Sequence, residues 1–308
     1  MTLGPAPRRC TNLALLLAAV FAAALLLMPA PKLPAGWLPV SVADAEPPDA
    51  PRPDIGVYEG LGTWIDIHDL PHLKSAHTFK KIRQSGTETI YVETANADSS
   101  RFVRPKQIGR LLERAHDSDM AVVAWTLPGH TDPRDDARKA FAAIRFESKR
   151  GDRFDGYALD IESTSVRDLG KRNRRMLALS RRIRRGATDV PLGAITYPPL
   201  TAHLPWDHFP WKKVSRIYDV MLPMAYGTYR HSEEWAIREY TIKNIELLRR
   251  KLGEDVPIHM IGGLASGMTP EATRGFVGAI QYTGIEGGSL YDFRITGSGD
   301  WRQLRELL

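Results

Sequence analysis

Two carboxylates stand two positions apart in the segment FDGYALDIES, residues 154–163, where an apolar run ends at Asp160 and Glu162. If this run is a β-strand, both side chains leave the same face, with α-carbons about 6.6 Å apart. Carboxyls that close resist double ionisation, so the pKa of one rises and that group can deliver a proton near neutral pH. General-acid catalysis is the functional interpretation. The other interpretation is that both acids bind backbone amides or an arginine at an ordinary strand end.

Such a pair needs a scaffold, and the rest of the chain predicts one. Apolar, β-branched stretches alternate with segments of helical period, which is typical of parallel strands joined by crossover helices. The eight predicted strands are Thr63–Ile67, Thr89–Glu93, Ala121–Leu127, Tyr157–Ile161, Leu192–Tyr197, Val220–Ala225, Ile258–Gly262 and Gly288–Phe293. Eight strand–helix units predict a single (β/α)8 barrel of the α/β class. The alternative is an open doubly wound sheet, but the sequence has neither of the glycine-rich phosphate motifs of its nucleotide-binding forms.

Two helices are predicted from periodicity and capping. The segment Ser232–Leu252 carries apolar residues at helical spacing, namely Trp235, Ile242, Ile245 and Leu248. A second helix is expected to begin at Pro270, with Thr269 as its N-cap.

Reactive groups of a (β/α)8 barrel lie at the carboxyl ends of its strands. The residues expected there are rich in acids and aromatics: Asp66, His68, Glu93, Asn96, Asp160, Glu162, Tyr197, Tyr226 and Asp292. Aromatic rings can also line such an opening, and Trp206 and Trp211 stand in the loop LPWDHFPWKK after strand five, where burial is difficult. We therefore predict these two tryptophans as walls of a cleft. For Trp64 and Trp125 the interior of the barrel is favoured over a stacking role.

The amino-terminal region predicts export. Arg8 and Arg9 precede an apolar run, Leu13–Met28, as in the charged and apolar regions of an export signal. Cleavage stays open, because the A-x-A-like site at Ala43 and Ala45 lies far downstream and the run is also compatible with an uncleaved anchor. The expected regions are a signal peptide or signal anchor at 1–28, a proline-rich spacer at 29–53 and the barrel at 54–308. The protein is expected to be secreted or held on the outer face of the cytoplasmic membrane.

Composition limits the class of protein and its partners. The chain has 308 residues, is 43% hydrophobic and 25% charged, and suits one large monomeric domain. Its one cysteine, Cys10, precedes the apolar run, so the exported part is expected to have no thiol chemistry. A net charge of +6 and the helix KRNRRMLALSRRIRRG, with Met176, Leu179 and Ile183 on one face, indicate a solvated basic surface. The alternative is that this surface binds anionic cell-wall polymers or a membrane surface, whereas nucleic acid is not expected.

The segment DGYALDIE resembles the D-G-x-D-x-D-x-E signature of the chitinase family, glycoside hydrolase family 18. Asp155, Gly156, Asp160 and Glu162 match it, while Ala158 occupies the place of the inner aspartate. The resemblance implies that Glu162 protonates the glycosidic oxygen and that Asp160 orients the N-acetyl group of the substrate. In that mechanism the acetamido oxygen, not an enzyme carboxylate, attacks the anomeric carbon.

Two further strands are similar to the same family. MLPMAYGTY on strand six resembles M-x-Y-D, with Met224 and Tyr226 in register and Gly227 in place of the aspartate. This resemblance implies that Tyr226 holds the acetamido oxygen. GGSLYDF on strand eight is similar in kind to G-x-x-x-W, with Tyr291 where a tryptophan is expected.

A second family and a metal site are weaker interpretations. ALDIE also resembles the L-D-x-E of family 25 lysozymes, whose further aspartates on strands one and eight would correspond to Asp66 and Asp292. A metal would recruit Asp66, His68 and Asp69, but no H-x-H or H-E-x-x-H pattern completes such a site. We expect neither a metal nor any other cofactor.

The sequence thus leads to one main hypothesis and one competitor. The main one is an exported glycoside hydrolase acting on a polysaccharide with N-acetylated sugars, chitin-like or peptidoglycan, with Glu162, Asp160 and Tyr226 in catalysis. The substrate-binding residues expected are Asp66, Glu93, Tyr197, Trp206, Trp211, Met224, Tyr291 and Asp292. The competitor is a catalytically impaired, wall-associated glycan-binding barrel, which Ala158 and Gly227 motivate.

Overall fold

Eight parallel strands form one sheet in the computed structural model, which describes residues 52–73 and 75–307. The strands are β1 Gly60–Ile65, β2 Thr89–Asn96, β3 Ala121–Leu127, β4 Gly156–Ile161, β5 Leu192–Thr196, β6 Val220–Pro223, β7 His259–Leu264 and β8 Gly287–Tyr291. Their order is β6-β5-β4-β3-β2-β1-β8-β7. Isolated bridges from Met221 to Ile258 and from Met224 to Ile261 bring β6 beside β7, where the barrel closes. The predicted signal segment and most of the spacer lie outside the described residues.

Helices follow the strands and cover the outside of the barrel. They are α1 Ala76–Gln84, α2 Pro105–His116, α3 Pro133–Ile144, α4 Leu169–Gly186, α5 Trp211–Ser215, α6 Glu234–Leu252, α7 Pro270–Thr283 and α8 Ser298–Leu304. The predicted start of α7 is confirmed, because the Thr269 hydroxyl accepts the Ala272 amide at 3.1 Å. The predicted (β/α)8 barrel is confirmed as well. Within the described part of the chain, no helix is long and apolar enough to cross a membrane.

The first strand differs from its predicted bounds for a local reason. It ends at Ile65 rather than at Ile67, because one carboxylate oxygen of Asp66 accepts the amide hydrogens of His68 and Asp69. This turn removes the chain from the sheet. Asp66 consequently lies just beyond the strand, at the carboxyl end of the barrel.

Aromatic side chains fill the interior of the barrel. Trp64 stacks on Tyr91 with ring centroids 4.3 Å apart, and Trp125 meets Trp64 edge-on. Both tryptophans are buried, so their interpretation as core residues is confirmed. Gly62 is needed beneath Tyr91, since a Cβ atom there would lie 2.5 Å from the tyrosine ring.

The basic helix α4 combines a buried apolar face with buried arginines. Met176, Leu179 and Ile183 are buried, as their spacing predicted. Arg172 and Arg184 are buried too, so the predicted solvated basic surface does not include every arginine of the helix. Arg184 forms an ion pair with the buried Asp219, and Arg172 donates to main-chain carbonyls. Two of the arginines therefore stabilise the outer layer of the barrel.

The buried apolar face of α6 is shorter than the helical spacing of its apolar residues predicted. Ile245 and Leu248 are buried, but Trp235 is 68% exposed in the first turn. The helix begins at Glu234, two residues later than expected, and Trp235 points away from the core.

Candidate active site

The carboxyl end of β4 positions the paired acids. Strand residues alternate, so Tyr157, Leu159 and Ile161 pack in the outer core with the helices, while Ala158 belongs to the interior cluster. Asp160 lies on the same side of the strand as Ala158, toward the barrel interior, and is only 6% exposed. Glu162 follows directly beyond the strand and is half-buried. The two carboxyls therefore lie one above the other at the mouth of the barrel.

Burial dominates the electrostatics of this pair. One carboxylate oxygen of Asp160 is buried without a hydrogen-bond partner among the described residues. Burial, followed by the nearby charges of Glu162 and Glu93, raises the pKa of Asp160 well above its ordinary value. Burial also raises the pKa of Glu162. The pair therefore retains a proton at a pH where an isolated carboxyl would be ionised.

Asp155, which also matches the family signature, lies at the other end of β4. Its carboxylate accepts the Val122 amide at 2.8 Å and contacts His116 Nε2 at 3.0 Å. Hydrogen bonding to Asp155, with a further contribution from Asp152, raises the pKa of His116 to about 9. Asp155 thus links the end of α2 to the start of β3 and is remote from the paired acids.

A cavity of about 320 Å³ opens beside Glu162. Its walls are Glu162, Tyr197, Pro198, Thr201, Met224, Tyr226, Tyr229, Arg230 and Tyr240. The structure therefore brings the predicted residues Tyr197, Met224 and Tyr226 together with Glu162. Sequence reasoning missed Tyr229 and Arg230, although both follow Tyr226 closely in the chain.

Two tyrosines supply hydroxyl groups next to the acids. The Tyr197 hydroxyl donates to the main-chain carbonyl of Glu162 at 2.8 Å. Burial, with the charges of Glu162 and Asp160, raises the pKa of Tyr197 to about 12. Burial and the same two acids raise the pKa of Tyr226 well above its ordinary value. Both phenols consequently stay protonated and can donate hydrogen bonds.

The ends of β1 and β8 form an acidic edge on the opposite side. Carboxylate oxygens of Asp66, Asp69 and Asp292 lie within 4.8 Å of one another. The Arg294 guanidinium contacts Asp69 at 2.9 Å and balances part of this charge. Burial and the neighbouring acids, Asp69 first, raise the pKa of Asp292 to about 6. The Tyr291 hydroxyl donates to Asp66 at 3.3 Å, so Tyr291 belongs to this edge.

Glu93 connects the ends of β1 and β2. It is buried, and its two carboxylate oxygens accept the Ile67 amide at 3.2 Å and the Asn96 side-chain amide at 3.1 Å. Burial raises its pKa. Groups of the protein contact both oxygens, so Glu93 ties the ends of β1 and β2 together beside Asp160, and its part in substrate binding stays a prediction.

The two predicted cleft tryptophans lie elsewhere. Trp206 is fully buried, and its indole nitrogen donates to Asn173 of α4 at 2.7 Å. The Arg172 guanidinium covers its ring at 4.8 Å. Trp211 is half-buried at the start of α5, where it packs on Phe209. The prediction of Trp206 as a cleft wall is therefore wrong, because its loop folds back onto α4, and neither ring lines the cavity beside Glu162.

The two departures from the family signature lie in different surroundings. Ala158 packs beside Trp125, whose indole nitrogen is buried without a partner among the described residues. A Cβ atom at Gly227 would lie 2.8 Å from the Ile237 side chain and 3.3 Å from Tyr240. An aspartate there would require the side chains of α6 that pack against this turn to shift.

Comparison with known proteins relates the chain to others through its fold. No family model matches the sequence, and no curated protein matches it either. A family 18 chitinase from Cycas revoluta, solved in complex with allosamidin, is 10% identical, with 80% of this chain and 98% of that chain covered and a TM-score of 0.58. A family 18 chitinase from Pseudoalteromonas aurantia is 12% identical over 81% and 100% of the two chains, with a TM-score of 0.57.

The third comparison is the spore cortex-lytic enzyme SleL from Bacillus cereus. It is 10% identical, with 81% of this chain and 74% of that chain covered and a TM-score of 0.58. Identities this low establish a likeness of fold. The resemblance to family 18 drawn from DGYALDIE is confirmed at that level, and the resemblance to family 25 lysozymes stays a prediction.

Proposed function

We propose that this protein is a glycoside hydrolase of the family 18 kind, acting on a polysaccharide that contains N-acetylated sugars. One observation carries the proposal. Glu162 lines a cavity at the carboxyl end of the barrel, directly beyond the buried Asp160, one oxygen of which has no partner among the described residues, and the pKa of each carboxyl is raised. A pocket with a proton-holding acid is what general-acid cleavage of a glycosidic bond requires.

The proposed reaction has two steps. In the first, Glu162 transfers its proton to the glycosidic oxygen, the bond from that oxygen to the anomeric carbon breaks, and the acetamido oxygen of the same sugar bonds to that carbon. In the second, water attacks the anomeric carbon, the acetamido oxygen leaves, and the Glu162 carboxylate takes a proton from the water. Atoms and charges balance without a second enzyme carboxylate as nucleophile.

Asp160 and Tyr226 assist this reaction in the proposal. The Asp160 oxygen that has no partner among the described residues would accept the acetamido N–H and hold that group in place. Tyr226 lines the same cavity and keeps its hydroxyl proton, so it can donate to the acetamido oxygen. Preorganised donors of this kind stabilise charge as it develops in the transition state.

The proposal includes export. Arg8 and Arg9, followed by the apolar run Leu13–Met28, support a signal peptide or anchor that delivers the barrel to the outer face of the cytoplasmic membrane or beyond it. In that compartment a cell-wall glycan is the available polysaccharide. Exposed basic residues such as Arg182 and Arg185 could also contact anionic wall polymers or lipid headgroups.

Release of reducing ends tests the proposed function. Chitin oligomers and peptidoglycan would be incubated with the wild-type protein, with Glu162→Gln and with the matched control Glu239→Gln. Glu239 lies on α6, where it pairs with Lys243 at the surface. Wild type and Glu239→Gln are expected to release reducing ends, and Glu162→Gln to lose at least a hundredfold in rate, because an amide cannot donate the proton. Equal release by wild type and Glu162→Gln would refute the assignment.

A glycan-binding barrel without turnover is the second candidate. Ala158 favours it, because the place of the inner aspartate belongs to the apolar interior of the barrel. In that case all three proteins would bind the oligomers and none would release reducing ends. Affinity measured alongside turnover separates the two functions.

A further inference from the structure

The cavity beside Glu162 has an uneven distribution of charge. Among its lining residues Glu162 is the one acid and Arg230 the one base, and most of the others are aromatic or apolar. The acidic edge formed by Asp66, Asp69 and Asp292 belongs to β1 and β8, whereas Arg230 follows β6. The β6 side of the cleft is therefore its positive side.

Arg230 keeps its guanidinium available. Its main-chain amide donates to Gly227, but within residues 52–73 and 75–307 its side chain has no hydrogen-bond or ion-pair partner. This is unlike Arg294, which is paired with Asp69, and unlike the buried Arg172, which is bound to carbonyl groups. An arginine at the wall of a cavity has five donors in a fixed fork that matches a carboxylate.

The residues next to Arg230 suit a sugar. Tyr229 is 70% exposed and its ring lies 6.0 Å from that of Tyr226, so an aromatic surface leads from the cavity toward solvent. A sugar ring stacked there would present its substituents to Arg230. A neutral hydroxyl would accept only an ordinary hydrogen bond from the guanidinium, whereas a carboxylate would form a stronger, charge-assisted pair with it.

We propose that Arg230 is a specificity residue that binds a carboxylate on the glycan, so that the cleft prefers an acidic N-acetylated sugar over a neutral one. A sugar with a lactyl ether carboxylate, as in the glycan strands of peptidoglycan, has this chemistry. The inference rests on the proposed function, because it takes the cavity beside Glu162 as the substrate site. It narrows the substrate class from chitin-like or peptidoglycan glycans to those that carry a carboxylate near the cleaved bond.

Binding by the full-length Glu162→Gln protein, which is expected not to consume its ligand, tests the inference. The probes are a peptide-free peptidoglycan tetrasaccharide, the methyl ester of its lactyl carboxylates, and chitotetraose. The ester keeps the shape of the acid and removes its charge. Each affinity would be measured by titration calorimetry with Arg230 intact, with Arg230→Gln and Arg230→Lys, and with the control Arg185→Gln at the exposed end of α4.

With Arg230 intact, we expect the acid to bind about tenfold more tightly than its ester, the order expected of one charge-assisted hydrogen-bonded pair. Arg230→Gln should bring the ratio of the affinities for acid and ester close to one. Arg230→Lys should retain part of the preference for the acid, and Arg185→Gln should leave it unchanged. The ratio should also shrink as salt concentration rises. Equal affinity for acid and ester, a ratio that survives in Arg230→Gln, or no binding of the acid would each overturn the inference.

Failure of the proposed function would look different. Wild-type turnover of the acid and of chitotetraose is measured in parallel. A protein that binds the acid through Arg230 but cleaves neither glycan would refute the hydrolase and leave the inference standing. A protein that cleaves both, with a preference independent of Arg230, would refute the inference and leave the hydrolase standing.

Discussion

The hydroxyl of Tyr197, directly after β5, donates a hydrogen bond of 2.8 Å to the main-chain carbonyl of Glu162, directly after β4. This bond ties the backbone from which the candidate acid projects to the neighbouring strand. Tyr197 also lines the cavity, as predicted, so it can contact a sugar. In the proposed mechanism its bond to Glu162 makes it a positioning residue for that carboxyl.

Tyr197→Phe isolates that task because it keeps the ring and removes one hydrogen bond. Loss of this hydrogen bond, which contributes about 1 kcal/mol to holding Glu162 in position, should lower kcat roughly fivefold to tenfold. The pH at which activity falls on the alkaline side should shift, since the environment of Glu162 changes, and a merely structural residue would not shift it. Steady-state kinetics across pH measure both effects, and an unchanged kcat and pH profile would rule the positioning role out.

Asp160→Asn tests the cost of a buried, unpaired carboxyl. The unfolded chain loses the Asp160 proton near its ordinary pKa of 3.8, whereas the folded chain keeps it to higher pH. The folded state therefore binds more protons in this window, so this group makes the free energy of unfolding fall as pH rises through it. An asparagine at position 160 does not titrate, so it adds no pH dependence to the free energy of unfolding. The Tm of the variant minus that of wild type should grow from pH 4 to pH 8, and a constant difference would contradict the account.

His116→Gln tests a pKa raised for the opposite reason at the other end of β4, because the charged form of His116 is favoured there whereas that of Asp160 is disfavoured. Asp155 and Asp152 raise the pKa of His116 to about 9, so its stabilisation is fully present below about pH 6.5, the ordinary value, and is lost as pH rises through 9. The Tm deficit of the variant should be largest at pH 6 and smallest above pH 9. Thermal unfolding at several pH values measures it, and a deficit that grows with pH would show the assigned ion pairs to be wrong.

Gly227→Asp restores the residue expected from the family signature. A Cβ atom there would press on the buried Ile237 and on Tyr240, and overpacking of this kind costs about 1–3 kcal/mol. Gly278→Asp is the matched control, since the nearest side chain, Arg238, lies 3.6 Å from that Cβ position. Urea unfolding should show a lower midpoint for Gly227→Asp alone. A wild-type midpoint for Gly227→Asp would mean that the side chains of α6 move aside without a measurable loss of stability.

The sequence was sufficient for the barrel and for the placement of the paired acids. Alternating apolar strands and helical periods fixed the order of the elements, and the parity of β4 brought Asp160 and Glu162 to one face. Trp206 was misplaced because its burial depends on Asn173 and Arg172, which only the folded α4 brings near. The contacts of Glu93 with the Ile67 amide and the Asn96 side chain were not predicted, because they join groups from the ends of two different strands.

Dependence on the leaving group tests the central claim, proton donation by Glu162, most directly. Wild type and Glu162→Gln would be compared on a chitin oligosaccharide, whose leaving alcohol needs a proton, and on the dinitrophenyl glycoside of the same sugar, whose phenolate leaves without one. Glu162→Gln should lose about 10²- to 10⁴-fold in kcat on the oligosaccharide and far less on the dinitrophenyl glycoside. An equal loss on both substrates, or no loss on either, would contradict the assignment of Glu162 as the acid.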